Sequence, residues 1–110
     1  MTPTLSSAGP AAGPLQILGL SAVPNPGPMA LALELAGPAD RVEVLIYTPA
    51  LVKVRTLALP AGALGVGWHQ VALPADWQAG LAPGLYYARV RAGRGSIWSV
   101  ARTVKLWLLP

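Results

Sequence analysis

The chain has no cysteine, few charged side chains and no long apolar run. Without cysteine, its 110 residues cannot form disulfides, a thiol nucleophile or a thiolate metal site. Gly, Pro or a charge interrupts every hydrophobic stretch before the roughly 18 residues that a membrane-spanning helix needs, so no transmembrane segment is expected. Charged residues make up 11% of the chain, against about 25% in typical soluble domains. So few charges predict exposed apolar surface, and therefore a neighbouring domain or a second copy.

Side chains for catalysis are equally scarce. The one histidine, His69, stands in a predicted strand in phase with Val71 and Leu73, which is more typical of a packed or rim histidine than of a general base. The acids are scattered singly, which leaves no carboxylate pair and too few ligands for zinc or calcium; they are Glu34, Asp40, Glu43 and Asp76. The sequence therefore predicts no enzyme, no cofactor and no metal.

The formal net charge is +4, and much of the basic charge lies near the C-terminus. No two basic residues are adjacent, and they alternate with apolar ones as the solvent side of a strand does; the group is Arg89, Arg91, Arg94, Arg102 and Lys105. This alternation favours an ordinary solvated face over a nucleic-acid site, and no nucleic acid is expected as a partner.

Residues 1–14 differ in composition from the rest of the chain. They contain Pro, Gly, Ser and Thr but no charge, which predicts a linker or N-terminal arm before a domain at 15–110. The first residues lack a basic region followed by an apolar core, so they do not read as a signal peptide. The protein is then either cytoplasmic or a piece of a longer chain.

The remainder predicts seven short strands separated by turns. Twelve prolines and twelve glycines leave no window with helical periodicity. The predicted strands cover 15–20, 29–35, 41–47, 52–59, 68–73, 85–91 and 96–108, with dense turn chemistry at 23–28 and a loop at 60–67. Such a pattern is typical of an all-β sandwich.

The stretch "APGLYYARVRAG" indicates which side of one strand faces the core. Burying an unpaired arginine would cost several kcal/mol, so we expect Tyr86, Ala88 and Val90 inside, with the Tyr86 hydroxyl bonded to the backbone. Similar alternation gives a candidate core of Leu31, Leu33, Val42, Val44, Ile46, Tyr86, Val90, Val104 and Leu106, and it puts Val100 in phase with the last two.

The opposite side of the same strands supplies a candidate interface. Tyr and Arg side by side on an exposed sheet resemble interface hot spots, and the candidate residues are Leu45, Tyr47, Tyr87, Arg89, Arg91 and Trp107. The alternative is a solvated face with a salt bridge to Glu43. The four tryptophans could also stack on sugars, although two in the core and two at an interface are expected.

Several short motifs occur in the order and spacing of a known family. They are "PNP" at 24–26, "IY" at 46–47, "TL" beginning nine residues after Tyr47, "APGLYY" at 82–87 and "KLWLL" at 105–109. In these the chain resembles the FlgD-type immunoglobulin-like domain, which is found in the flagellar hook cap and at the C-terminus of secreted bacterial proteins, where a related version is a type IX secretion sorting domain. Thr48 and Leu51 depart from the family's usual Asp and Gly.

The resemblance implies an immunoglobulin-like β-sandwich of about seven antiparallel strands. It also implies a non-enzymatic structural or interaction module of a secreted or cell-surface protein. Other domains or copies of the chain are the expected partners, held through apolar outer faces, sheet edges and the N-terminal arm. The alternative function is binding of a carbohydrate or polyanion through exposed Trp and Tyr and the C-terminal arginines.

Overall fold

The computed structural model describes residues 14–23, 30–74 and 76–108, and this part of the chain is all-β. Its eight strands are β1 (Ile17–Val23), β2 (Ala30–Leu35), β3 (Ala39–Tyr47), β4 (Lys53–Leu64), β5 (Gly67–Ala72), β6 (Gly84–Arg94), β7 (Ile97–Trp98) and β8 (Arg102–Leu108). No helix in these ranges could cross a membrane. The predicted arm up to residue 13, the turn at 24–28, Met29 and the last two residues lie outside the described part.

The strands form two antiparallel sheets. One sheet has the order β1-β2-β5. The other has the order β4-β3-β6, with β8 paired along most of β6 and the short β7 paired at the end of β6. Consecutive strands therefore change sheet several times, and β6 lies between β3 and β8.

A single core lies between the two sheets. Strands β2, β3 and β6 place every second side chain there, because successive residues of a strand point to opposite faces. Of the nine predicted core residues, eight are buried, and Val104 is half-buried on the outer strand β8. Trp77 and Leu73 close the core from the chain that follows β5.

Two arginines occupy core-facing register positions at opposite borders of the larger sheet. Arg55 on β4 pairs with Ile46, and Arg102 on β8 pairs with Val90. Each guanidinium reaches the border and bonds to backbone: Arg102 donates to the Ile17 carbonyl of the other sheet at 2.7 Å, and Arg55 donates to the Trp77 carbonyl at 2.8 Å. Their charge is satisfied without being enclosed.

The predicted loop at 60–67 is wrong for most of its length, because β4 continues to Leu64. Pro60 lies within the strand, and an outer strand tolerates proline because one of its sides has no ladder partner. A register shift between Ala39 and Arg41 accompanies this extension. A second register shift lies between Ile46 and Tyr47, opposite Arg55 and Lys53.

The predicted final strand at 96–108 is also wrong, since it is broken between β7 and β8. Ser99 is buried at the break, where its hydroxyl accepts a hydrogen bond from the Ala92 amide at 2.9 Å and donates one to the Val100 carbonyl at 3.1 Å. These bonds replace ladder bonds, and Val100, which was predicted in phase with the core, is 83% exposed.

Candidate functional site

The outer face of the larger sheet carries most of the aromatic and charged side chains. Residues directly opposite each other on neighbouring strands share a face, so the register fixes which side chains meet. One row across four strands contains Lys53, Tyr47, Tyr87 and Lys105. This basic-aromatic row has a lysine at each end and two half-exposed tyrosines between them.

The next row along the strands contains Leu45, Arg89 and Thr103. Arg89 is exposed and stands between two shallow depressions. The larger holds about 460 Å³ and is lined by Tyr47, Leu51, Tyr87, Arg89, Ala101 and Thr103. The smaller holds about 270 Å³ and is lined by Glu43, Leu45, Arg89, Arg91 and Ala101.

Leu51 lines the larger depression from the turn between β3 and β4. Its φ of 65° is in the left-handed region, which glycine adopts easily but which is costly for a bulky side chain such as leucine. The turn is held by Thr48, whose carbonyl accepts from the Leu51 amide at 2.8 Å and whose hydroxyl accepts from the Val52 amide at 3.2 Å. The turn thus holds a 75% exposed leucine beside the tyrosines.

A second cluster, the tryptophan clamp, lies further along the same sheet. The Arg91 guanidinium carbon is 3.9 Å from the centre of the Trp98 ring, and that of Arg41 is 4.4 Å away. Both distances are well inside the range of a cation–π interaction. Arg91 also donates to Glu43 Oε1 at 2.6 Å, and Arg41 donates to Asp40 Oδ1 at 2.8 Å.

The tryptophans do not form a common platform. Trp77 is buried, and Trp98 is half-buried within the clamp. Trp68 and Trp107 are exposed, at 60% and 58%, but they lie on the outer faces of different sheets. Of the two tryptophans expected in the core, only Trp77 is found there, and an interface role for two others stays a prediction. No outer face carries two exposed tryptophan rings.

His69 is on the core-facing side of the outer strand β5, half-buried, with Nε2 2.6 Å from the Gly65 carbonyl. A neutral or charged ring donates there, so this nitrogen does not serve as a free base. Within the ranges that the structure describes, no group of three or more histidine or acidic side chains is placed to hold a metal ion.

Five of the six candidate interface residues come together on the outer face: Leu45, Tyr47, Tyr87, Arg89 and Arg91. Trp107 is on the same face but lies beyond the basic-aromatic row, paired with Leu85. The interface predicted from the sequence did not include Leu51, Lys53 or Trp98. The alternation of β4 could have suggested Lys53, but only the register shift decides its face, and no pattern marks the positive φ of Leu51.

Comparisons with protein-family models, with curated proteins and with solved structures gave no significant match. The functional reading of this surface therefore depends on its own geometry.

Proposed function

We propose that the chain is a non-enzymatic interaction module of the immunoglobulin-like class. It binds another protein domain through the outer face of its larger sheet, centred on the basic-aromatic row. The observation that carries this proposal is the exposed Leu51, held at a positive φ beside Tyr47, Tyr87 and Arg89. Unfavourable backbone geometry that keeps an apolar side chain in water is typical of a binding site.

The strand order supports the immunoglobulin-like assignment. The first, second and fifth strands form one sheet, while the third pairs with the fourth and the sixth in the other. Near the start of the sixth strand, the Tyr86 hydroxyl donates to the Ala82 carbonyl at 2.6 Å. A tyrosine bonded back to the preceding corner at the start of this strand is a hallmark of immunoglobulin-like sandwiches.

The composition of the face supports protein binding. Tyrosine and arginine are enriched where interfaces gain most of their binding energy, because they combine a large apolar surface with fixed polar groups. Tyr47 and Tyr87 pair directly across strands, and Leu45 and Arg89 form the next pair. The face thus offers flat aromatic area with an exposed charge beside it.

The absence of a catalytic role is part of the proposal. Asp40 and Glu43 are already engaged with arginines, and His69 bonds to backbone on another side of the molecule. A nucleophile on the outer face would have no nearby imidazole to accept its proton. The resemblance to FlgD-type domains extends the proposal to a secreted or cell-surface parent protein.

A peptide-display selection on the immobilised wild-type domain tests this function. Selected clones are measured again on Leu51→Ser and Tyr87→Ser, and on the matched control Trp68→Ser from the opposite face. Leu51 is 75% exposed, so its replacement leaves the core untouched. We expect clones that lose binding to both face variants and keep binding to the control.

Clones that bind all variants equally, or no clones at all, would overturn the proposal. Thermal melts of each variant show that lost binding does not come from unfolding. Light scattering at rising concentration tests whether a second copy is the partner, since a dimer would exceed the 11.3 kDa of one chain.

A further inference from the structure

Three basic side chains on the outer face have no partner within the described residues. Lys53, Arg89 and Lys105 are exposed and make no side-chain hydrogen bond or ion pair there. The other five bases all donate to a carboxylate or a carbonyl: Arg41, Arg55, Arg91, Arg94 and Arg102. The unused positive charge is therefore concentrated around the two tyrosines.

The chain's own acids do not neutralise this group. Asp40 and Glu43 pair with the arginines of the tryptophan clamp. Glu34 is on the outer face of the other sheet, opposite Trp68, and Asp76 lies in the turn after β5. The residues outside the described ranges contain no aspartate or glutamate. The three bases are therefore available to carboxylates that a ligand brings.

The spacing of the bases gives the shape of that ligand. Lys53 and Lys105 stand three strand intervals apart in one row, which is about 14 Å at ~4.8 Å per interval. In an extended peptide, residues four positions apart are separated by about 13.6 Å, and the residue midway points to the same side. Carboxylates at the two outer positions would face the lysines, and the middle side chain would lie over Tyr47 and Tyr87.

We propose that the partner of this face is an extended acidic peptide segment with an apolar residue between two carboxylates, of the pattern Glu-x-Leu-x-Glu. This inference rests on the proposed function and names the chemistry of the partner. The two lysines bind the outer carboxylates, the tyrosines and Leu51 contact the apolar side chain, and Arg89 binds a further carboxylate or a backbone carbonyl.

The apolar character of the site favours a peptide over an acidic polysaccharide. Leu45 and Leu51 contribute side chains without hydrogen-bonding groups, whereas a sugar needs partners for its hydroxyls. The larger depression is lined by Leu51 and Ala101 as well as by the tyrosines. A leucine side chain matches this lining, because its burial releases water from apolar surface.

Fluorescence anisotropy with labelled synthetic peptides tests the proposal. The probes are a peptide with two Glu-x-Leu-x-Glu repeats, the same peptide with Gln in place of Glu, and the same peptide with Ser in place of Leu. Heparin is added as a competing polyanion. The variants are Arg89→Gln and the double variant Lys53→Gln with Lys105→Gln. Arg94→Gln is the control, because it loses one charge near the Pro38 carbonyl, outside the row.

We expect the acidic, leucine-containing peptide to bind with roughly tenfold lower affinity to Arg89→Gln and to the double lysine variant, and with unchanged affinity to the control. Binding should weaken steeply as salt rises, because the attraction is between exposed charges. The Gln and Ser peptides should each bind at least about fivefold more weakly than the parent.

Equal binding of the Glu and Gln peptides would overturn the acidic partner and leave the protein-binding face standing. Equal binding of the Leu and Ser peptides, together with tight competition by heparin, would assign the face to polyanions instead. No binding of any peptide, when display clones do bind the face, would also reject this partner. If the display clones fail as well, the proposed function falls with it.

Discussion

Each sheet has one tryptophan whose ring lies over a glycine of that sheet. The two tryptophans, Trp68 and Trp98, have different surroundings. On the smaller sheet, a side chain added at Gly19 would meet the Trp68 ring at 2.9 Å, so that ring covers the glycine. On the larger sheet, a side chain added at Gly93 would meet the Trp98 ring at 2.9 Å. Trp68 remains 60% exposed, whereas Trp98 is half-buried against two guanidinium groups.

Because of this difference, some basic side chains of the larger sheet are held by contacts within the molecule, whereas others are free to contact a ligand. Trp98 holds Arg41 and Arg91 in place, and the neighbouring acids neutralise them. The two arginines then act as structure, and Arg89, two residues from Arg91 along β6, carries no such partner in the described part. Two arginines of one strand thus differ: Arg91 is held by an aromatic ring and an acid, whereas Arg89 is exposed to solvent.

The largest effect is expected when each ring is removed. Trp98→Ala should lower the free energy of unfolding by about 2 to 3 kcal/mol, because it removes apolar burial and two cation–π contacts together. Trp68→Ala should cost about 1 kcal/mol or less, since most of that ring is already in water. Urea unfolding of both variants measures the difference, and equal losses would mean that the clamp adds no stability.

A smaller effect is expected from filling the glycine beneath each ring. Neither glycine has a positive φ, so contacts rather than backbone strain decide the outcome. Gly93→Ala should cost about 1 to 2 kcal/mol, because the new methyl group meets both Arg41 and Trp98 at 2.9 Å, and the clamp holds them. Gly19→Ala should cost below about 0.5 kcal/mol, because the exposed Trp68 ring can move aside.

Melting temperatures and tryptophan fluorescence check this second comparison. A Gly19→Ala variant as unstable as Gly93→Ala would show that Trp68 is held as firmly as Trp98, by contacts other than arginine.

The strands with regular alternation were predictable from the sequence, and the extension of β4 was not. Leu31 and Leu33 on β2 and Val42 and Val44 on β3 are buried because each strand has one face in the core and the pattern records this directly. The extension of β4 through Pro60 depends on its position at the border of a sheet, which is a property of the assembled fold. Composition alone gave a loop.

For the candidate surface, the sequence could predict which side of a strand each side chain occupies, but not which side chains of different strands meet. Alternation places Tyr87 and Arg89 on one side of β6, and pairing of β6 with β3 brings Tyr47 and Leu45 beside them. The clamp was missed because it requires the register of Gly93 opposite both Arg41 and Trp98. The sequence places these residues up to dozens of positions apart, and a shift of one position would separate them.

The smallest effect separates the ionic part of the clamp from the aromatic part. Glu43→Gln removes the negative charge 2.6 Å from Arg91 but leaves a side chain that can accept the same hydrogen bond. The side chains are 24% and 39% exposed, so solvent screens the pair, and we expect a loss of about 0.5 kcal/mol at low salt that shrinks at high salt. The Arg91–Trp98 contact persists, because the ring attracts the guanidinium whether or not Glu43 is charged. The control is Glu34→Gln, because Glu34 lies beside Trp68 on the other sheet and makes no ion pair in the described residues. It should leave urea unfolding unchanged at either salt concentration. A loss above about 2 kcal/mol in Glu43→Gln would show that the acid, and not the ring, is the group that fixes Arg91.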